Sequence, residues 1–196
     1  MTEADLKTDL HDYLRKAREA VCWKVDGLSE YDVRRPLTPT GTNLLGLVKH
    51  LATVELLYLG MAFGRHFEQY LPWFREDAEP NQDMWATADE SREYILDLYR
   101  RAGEHADATI EALPLDAIGE VPWWTDEGGK ATLHRILTHL LAETHRHTGQ
   151  ADIVRELIDG RIGEEPGDDR IPSTDAAWWQ AYRDNLERIA AGSRLR

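Results

Sequence analysis

Between Lys130 and Asp159 apolar residues return at spacings of four and three, with no proline. Only an α-helix puts residues so spaced on one face. The stripe reads Ile136, Leu140, Glu143, His147, Gln150, Val154 and Leu157. Apolar residues at both ends turn it toward a protein interior, yet its middle is polar. A buried carboxylate is costly without a cation or proton beside it, so Glu143 requires a partner. Residues at i and i+4 stand roughly 5–6 Å apart at Cβ, which lets Glu143 and His147 converge on one metal ion.

The rest of the chain follows the same period, and strand patterns are nearly absent. A first helix is expected over about Glu3 to Asp26, capped by Thr2, with Leu6, Leu10, Tyr13, Leu14, Ala17 and Val21 as its stripe. A second follows a Pro- and Gly-bearing link and runs from about Asn43 to Phe63. A long aromatic connection, Gly64 to Ala86, comes next, and connections of that length usually cover a site. The capping box Thr87-Ala88-Asp89-Glu90 predicts the start of a third helix that Pro114 ends. A second aromatic loop, Val121-Pro122-Trp123-Trp124, leads into the fourth helix, Lys130 to Asp159, closed by Gly160. A fifth is expected over about Thr174 to Ala191. These elements predict an all-α protein, residues 1–196 forming one bundle domain of four main helices with an additional C-terminal helix.

The second helix supplies a further polar interruption. Its stripe is Leu47, His50, Leu51, Val54 and Tyr58, which turns His50 inward near the helix middle. His50 facing Glu143 and His147 would make a His-Glu-His set, the ligands of open zinc sites. A lone histidine on an apolar stripe is more often a packed core residue, and a His–Glu pair can be a buried ion pair. Spacing alone leaves both readings open. His139, four residues before Glu143, competes as a ligand. Successive steps of four rotate by about 40°, so His139 and His147 diverge and His139 reads as a packing or supporting residue. His134 is expected at the mouth of the helix or exposed, and His11, His66, His105 and His145 in solvent.

Composition excludes several functions. A formal charge of −13 leaves no basic face for nucleic acid. No uninterrupted apolar run approaches the roughly 20 residues that cross a bilayer, and the N-terminus lacks the pattern of a signal peptide, so no membrane partner and a cytoplasmic location are expected. The single cysteine, Cys22, cannot form an internal disulfide and reads as a small core residue. No phosphate loop, Gly-x-Ser-x-Gly elbow or Cys-x-x-Cys pair is present.

Three stretches carry a resemblance: Gly41-Thr42-Asn43-Leu44-Leu45-Gly46-Leu47-Val48-Lys49-His50-Leu51, then Asp89-Glu90-Ser91, then Leu137 to Ile153 with its Glu143-Thr144-His145-Arg146-His147 centre. They resemble the DinB/YfiT-like superfamily, more narrowly an actinobacterial branch related to mycothiol-dependent maleylpyruvate isomerase. The tail, Asp175-x-x-Trp178-Trp179-x-x-Tyr182, shares the look of that branch. The resemblance implies a four-helix bundle holding one divalent ion, zinc ahead of nickel, through His50, Glu143 and His147. It places Gln150 where it can bind the ion's water or the substrate, as a catalytic candidate. It also implies chemistry on low-molecular-weight thiols. Because Cys22 lies away from the stripe, the thiol must be a co-substrate of mycothiol type. The expected function is a metal-dependent thiol S-transferase acting on a small electrophile. A non-catalytic metal-binding stress protein and a metal-dependent hydrolase are the alternatives. Pairing of such bundles through helices leaves room for a homodimer.

Overall fold

A computed structural model describes residues 2–75, 77–168 and 170–193, the Glu127 side chain excepted. The fold is mostly α-helical, with a small two-stranded sheet. The chain divides into two compact units, Met1–Arg161 and Ile162–Arg196.

In the first unit, helix α1 spans Glu3–Trp23. The Thr2 hydroxyl accepts from the Asp5 N–H and the Asp5 carboxylate from the Thr2 N–H, so two otherwise free donors at the helix start are satisfied. Leu14, Ala17 and Val21 of its expected stripe are buried, but Leu6 and Tyr13 are exposed. The stripe is correct only where α1 lies against its neighbours. A short helix α2, Glu30–Arg34, fills part of the link that sequence patterning leaves as loop. Five residues carry too little periodicity to reveal it.

Helix α3, Leu44–Glu55, is capped by Asn43, whose side chain accepts from the Gly46 N–H. The helical path continues as one π-turn, Leu56–Gly60, and a 3₁₀ turn, Met61–Phe63. The whole stretch Leu44–Phe63 is long and apolar enough to cross a bilayer by length and composition, although 83% of that window is buried inside the protein. Lys49, His50 and Glu55 interrupt it, which is why no unbroken apolar run appears in the sequence.

Helix α4, Arg92–Ala112, starts later than the Thr87 box suggests, with Ser91 as its cap. The Glu90 carboxylate does accept from the Thr87 N–H at 2.8 Å, but within a turn that precedes the helix. Helix α5, Leu133–Asp159, ends on Gly160 in the left-handed region (φ 74°). Its first expected residues, Lys130–Thr132, form strand β2 instead, antiparallel to β1, Ile118–Glu120. Strands of three residues are too short for an alternating pattern to show. The hairpin carries the Trp123–Trp124 loop between them.

Helix α3 packs on α4 and α5, and α1 packs on α5. Leu14, Leu59, Ile110, Ile136 and Leu140 sit in one apolar cluster, and Leu45, Leu51, Ile95 and Leu98 in another. Arg155, 1% exposed, fastens the end of α1. Its guanidinium donates to the carbonyls of Lys24 (3.0 Å) and Asp26 (2.7 Å) and pairs with Asp159. It also reaches the carbonyl of Trp23, the last residue of α1, at 3.3 Å, so the carbonyls at and just beyond that C-terminus gain a buried cation.

The second unit contains helix α6, Ala176–Gly192, capped by Asp175. Trp178, Trp179 and Tyr182 form an aromatic cluster on it, with Trp178 and Tyr182 stacked at 5.3 Å.

Candidate metal centre

The long stripe of α5 and the apolar face of α3 meet, and their polar interruptions meet with them. One potential ligand atom from each of His50, Glu143 and His147 lies within 4.8 Å of the other two. Glu143 Oε1 is 3.0 Å from His147 Nε2 and 3.7 Å from His50 Nε2. The two imidazoles stand edge to face, their centroids 4.7 Å apart. Among the described residues no fourth His, Cys, Asp or Glu joins the group at that spacing. His147 is 7% exposed, whereas His50 and Glu143 are only partly buried, so the group opens on one side.

The far side of each ring decides which nitrogen faces the group. His50 Nδ1 is 2.7 Å from Asp83 Oδ2, and His147 Nδ1 is 2.7 Å from Gln150 Oε1. An ionised carboxylate and an amide oxygen can only accept, so both Nδ1 atoms donate. Each Nε2, the nitrogen nearer Glu143, is then either protonated and able to donate to the carboxylate or, in a neutral ring, the one that carries a lone pair for a cation. Burial raises the affinity of Asp83 for a proton. The His50 hydrogen bond and charge, with Lys49 nearby, outweigh that and hold it below the usual carboxylate range. Glu143 is likewise depressed: burial opposes its charge, but the His147 hydrogen bond and the charges of His147, His50 and His139 prevail.

Gln150, expected as a catalytic group, thus lies against His147 and orients its ring. Leu157, the last residue of the stripe, is 62% exposed, so that stripe stays inward only as far as Val154. His139 is outside the group and packs against Tyr58 (4.9 Å) and Trp124 (5.0 Å). The Tyr58 hydroxyl oxygen accepts from the indole N–H groups of Trp123 (2.9 Å) and Trp124 (3.3 Å). An aromatic layer therefore adjoins the group one turn along α5, and Trp123 remains 48% exposed. His66, His134 and His145 are exposed. His11 and His105, expected in solvent, are not: His11 Nε2 is 2.8 Å from Asp107 Oδ1, and His105 Nε2 is 2.9 Å from the Arg65 carbonyl. His11 meets its partner on helix α4, and His105 meets its own in the loop that follows α3, against Phe67.

Asp83 is the residue that sequence reading misses. Imidazole ligands need an acceptor on the second nitrogen, so the rule calls for such a group. Nothing in the pattern selects Asp83 among the 36 acidic residues of the chain.

The donor set, two imidazoles with occupied Nδ1 atoms and one carboxylate, fits a divalent cation such as zinc. Comparison with known families agrees with the branch that the motifs suggest, since the mycothiol-S-transferase family matches residues 9–160. The chain belongs to the mycothiol-S-transferase family. The match runs from α1 to the end of α5 and includes every residue of the His-Glu-His group. No curated protein matches the chain. For a mycothiol-S-transferase family member Cys22 is also informative. Burial, with the charges of Glu55 and Glu19, pushes its thiol up to about 11, far from a nucleophilic thiolate at neutral pH.

Proposed function

We propose that this protein is a divalent-metal-dependent thiol S-transferase. In this reading His50, Glu143 and His147 hold one ion, zinc ahead of nickel, and mycothiol or a similar small thiol is the sulfur donor. The observation that carries it is the convergence of His50 Nε2 and His147 Nε2 on Glu143, with Nδ1 of each ring engaged by an acceptor on its far side. When bound, a divalent cation lowers the pKa of a thiol and so supplies thiolate at neutral pH.

The chain's own residues prepare the site. Asp83 and Gln150 keep both imidazoles in the ligand tautomer and orientation, and Glu143 offsets part of a cation's charge. Tyr58, Trp123 and Trp124 present an apolar wall with one indole partly open, suited to the organic part of a thiol or an electrophile. Cys22, partly buried and with its thiol pushed up, leaves sulfur attack to the co-substrate. In the transfer, the thiolate sulfur forms a bond to the electrophilic carbon as the leaving group departs with its electron pair. The thiol proton passes to solvent. A reducing, cytoplasmic setting suits such a thiol and a lone cysteine. The same site architecture takes small molecules as partners, not nucleic acid.

The test is conjugation of mycothiol to a haloarene or bimane by zinc-loaded protein, measured against the same zinc without protein. The expected rate exceeds that control, vanishes on chelation, and is lower with glutathione. A protein that retains its metal yet gives no rate above the control, across a panel of thiols and electrophiles, would overturn the transferase reading. A non-catalytic metal-binding role would then replace it.

A further inference from the structure

The segment from Asn81 to Glu90 does more than connect helices. It is fastened to the N-terminal half of α3 at three places, and one acidic side chain on it reaches His50. Asn81 is the only described non-glycine residue with positive φ (60°), and the turn it opens is closed by the Met84 N–H donating to the Asn81 carbonyl at 2.8 Å. Asn tolerates that conformation better than most residues. The next carbonyl, Met84, lies so close to α3 that a Cβ on Gly46 would run into its oxygen and carbon. The Asn43 side-chain amide donates to the same Met84 oxygen at 3.2 Å. Lys49, fully buried, donates to the Trp85 carbonyl at 3.0 Å and to Glu90 Oε2 at 2.9 Å, with its ammonium 4.0 Å over the Trp73 ring. Glu90 also accepts from the Thr87 N–H, so the Thr-x-x-Glu motif closes the far end of the segment.

Burying a lysine side chain completely is costly, and here its hydrogen bonds go to a loop. A glycine in a helix also costs stability relative to alanine. Both features have one consequence in common: they fasten the residues that directly follow Asp83, whose carboxylate lies 2.7 Å from His50 Nδ1. We infer that Gly46 and Lys49 are positioning residues for the metal centre, acting through Asp83, which they hold against His50. The inference rests on the metal reading above.

Metal affinity, read by competition with a chromophoric chelator, separates this from a merely structural role. Asp83→Ala should weaken zinc binding by about 10–100-fold, the range for partners that orient ligands. Gly46→Ala should weaken it in the same direction. In the Asp83→Ala background it should add nothing, because the path through Asp83 is already cut. Thermal unfolding in excess chelator reports the fold alone. If Gly46→Ala lowers that stability but binds zinc as the wild type does, the loop is packing only and the inference fails. Should Gly46→Ala not fold, Lys49→Met with Glu90→Gln takes its place in the same cycle, with the same expected outcome. A wild type that binds no zinc overturns the metal reading and this inference with it, whereas wild-type binding unaffected by Asp83→Ala overturns the inference alone.

Discussion

Replacing His147 by Ala is expected to abolish tight metal binding and to reduce thiol conjugation to the rate of free metal. His147 is the most buried member of the group, touches Glu143 at 3.0 Å, and sits where a lost nitrogen cannot be replaced by another described side chain of the right type. His50→Ala should behave alike. His139→Ala should weaken binding by at most about 10–100-fold, since its contacts are with Tyr58 and Trp124. His145→Ala, on the exposed face, should leave binding unchanged. Because ligand imidazoles must be neutral, wild-type affinity should also fall as pH drops below about 6. Isothermal titration of the four variants after chelator treatment decides the matter. Loss of metal in His139→Ala with retention in His50→Ala would mean that α5 alone carries the ligands.

A large effect on the fold, independent of metal, is expected at the ion pair that ties α1 to α3. Glu55 is 0% exposed and accepts from Arg18 Nε at 2.7 Å, while Arg18 also reaches Asp107 at 2.6 Å. Arg18→Ala leaves a buried carboxylate without its cation and should cost on the order of 3–5 kcal/mol. Burial already raises the Glu55 pKa, with the Arg18 charge and hydrogen bond acting against it. Removing Arg18 leaves the burial effect unopposed, so the folded carboxyl holds its proton more tightly than the unfolded one. Between the two pKa values the folded state then binds more protons, and stability falls as pH rises. The penalty should accordingly shrink on acidification from neutral pH. Replacing both partners, Arg18→Met with Glu55→Leu, should recover most of the loss. Urea unfolding in chelator, at two pH values, measures all of this.

How much of the protein was legible beforehand differs by element. Helices α1, α4, α5 and α6 are long and periodic, and their caps at Thr2 and Gly160 are visible as residue types. The group His50, Glu143 and His147 was legible because polar residues interrupt two apolar stripes, and stripes that belong to one core must meet. Elements of three to five residues, α2 and the β1–β2 hairpin, offer no period to read. The start of α4 was misplaced for a different reason. Glu90 does satisfy the Thr87 backbone donor, but it is also engaged by Lys49 from α3, and the helix begins at Arg92 with Ser91 as its cap. The same contacts hide Asp83, whose role depends on a loop folding back on α3 and not on any spacing along the chain. The partly buried His11 and His105 are likewise set by partners elsewhere in the chain, Asp107 and the Arg65 carbonyl.

The measurement that bears most directly on the account is metal stoichiometry. Protein stripped with chelator, incubated with excess zinc and passed through a desalting column should retain close to one zinc per chain by elemental analysis. Retention well below stoichiometric, by folded protein under the same treatment, would contradict the assignment of His50, Glu143 and His147 as a metal centre.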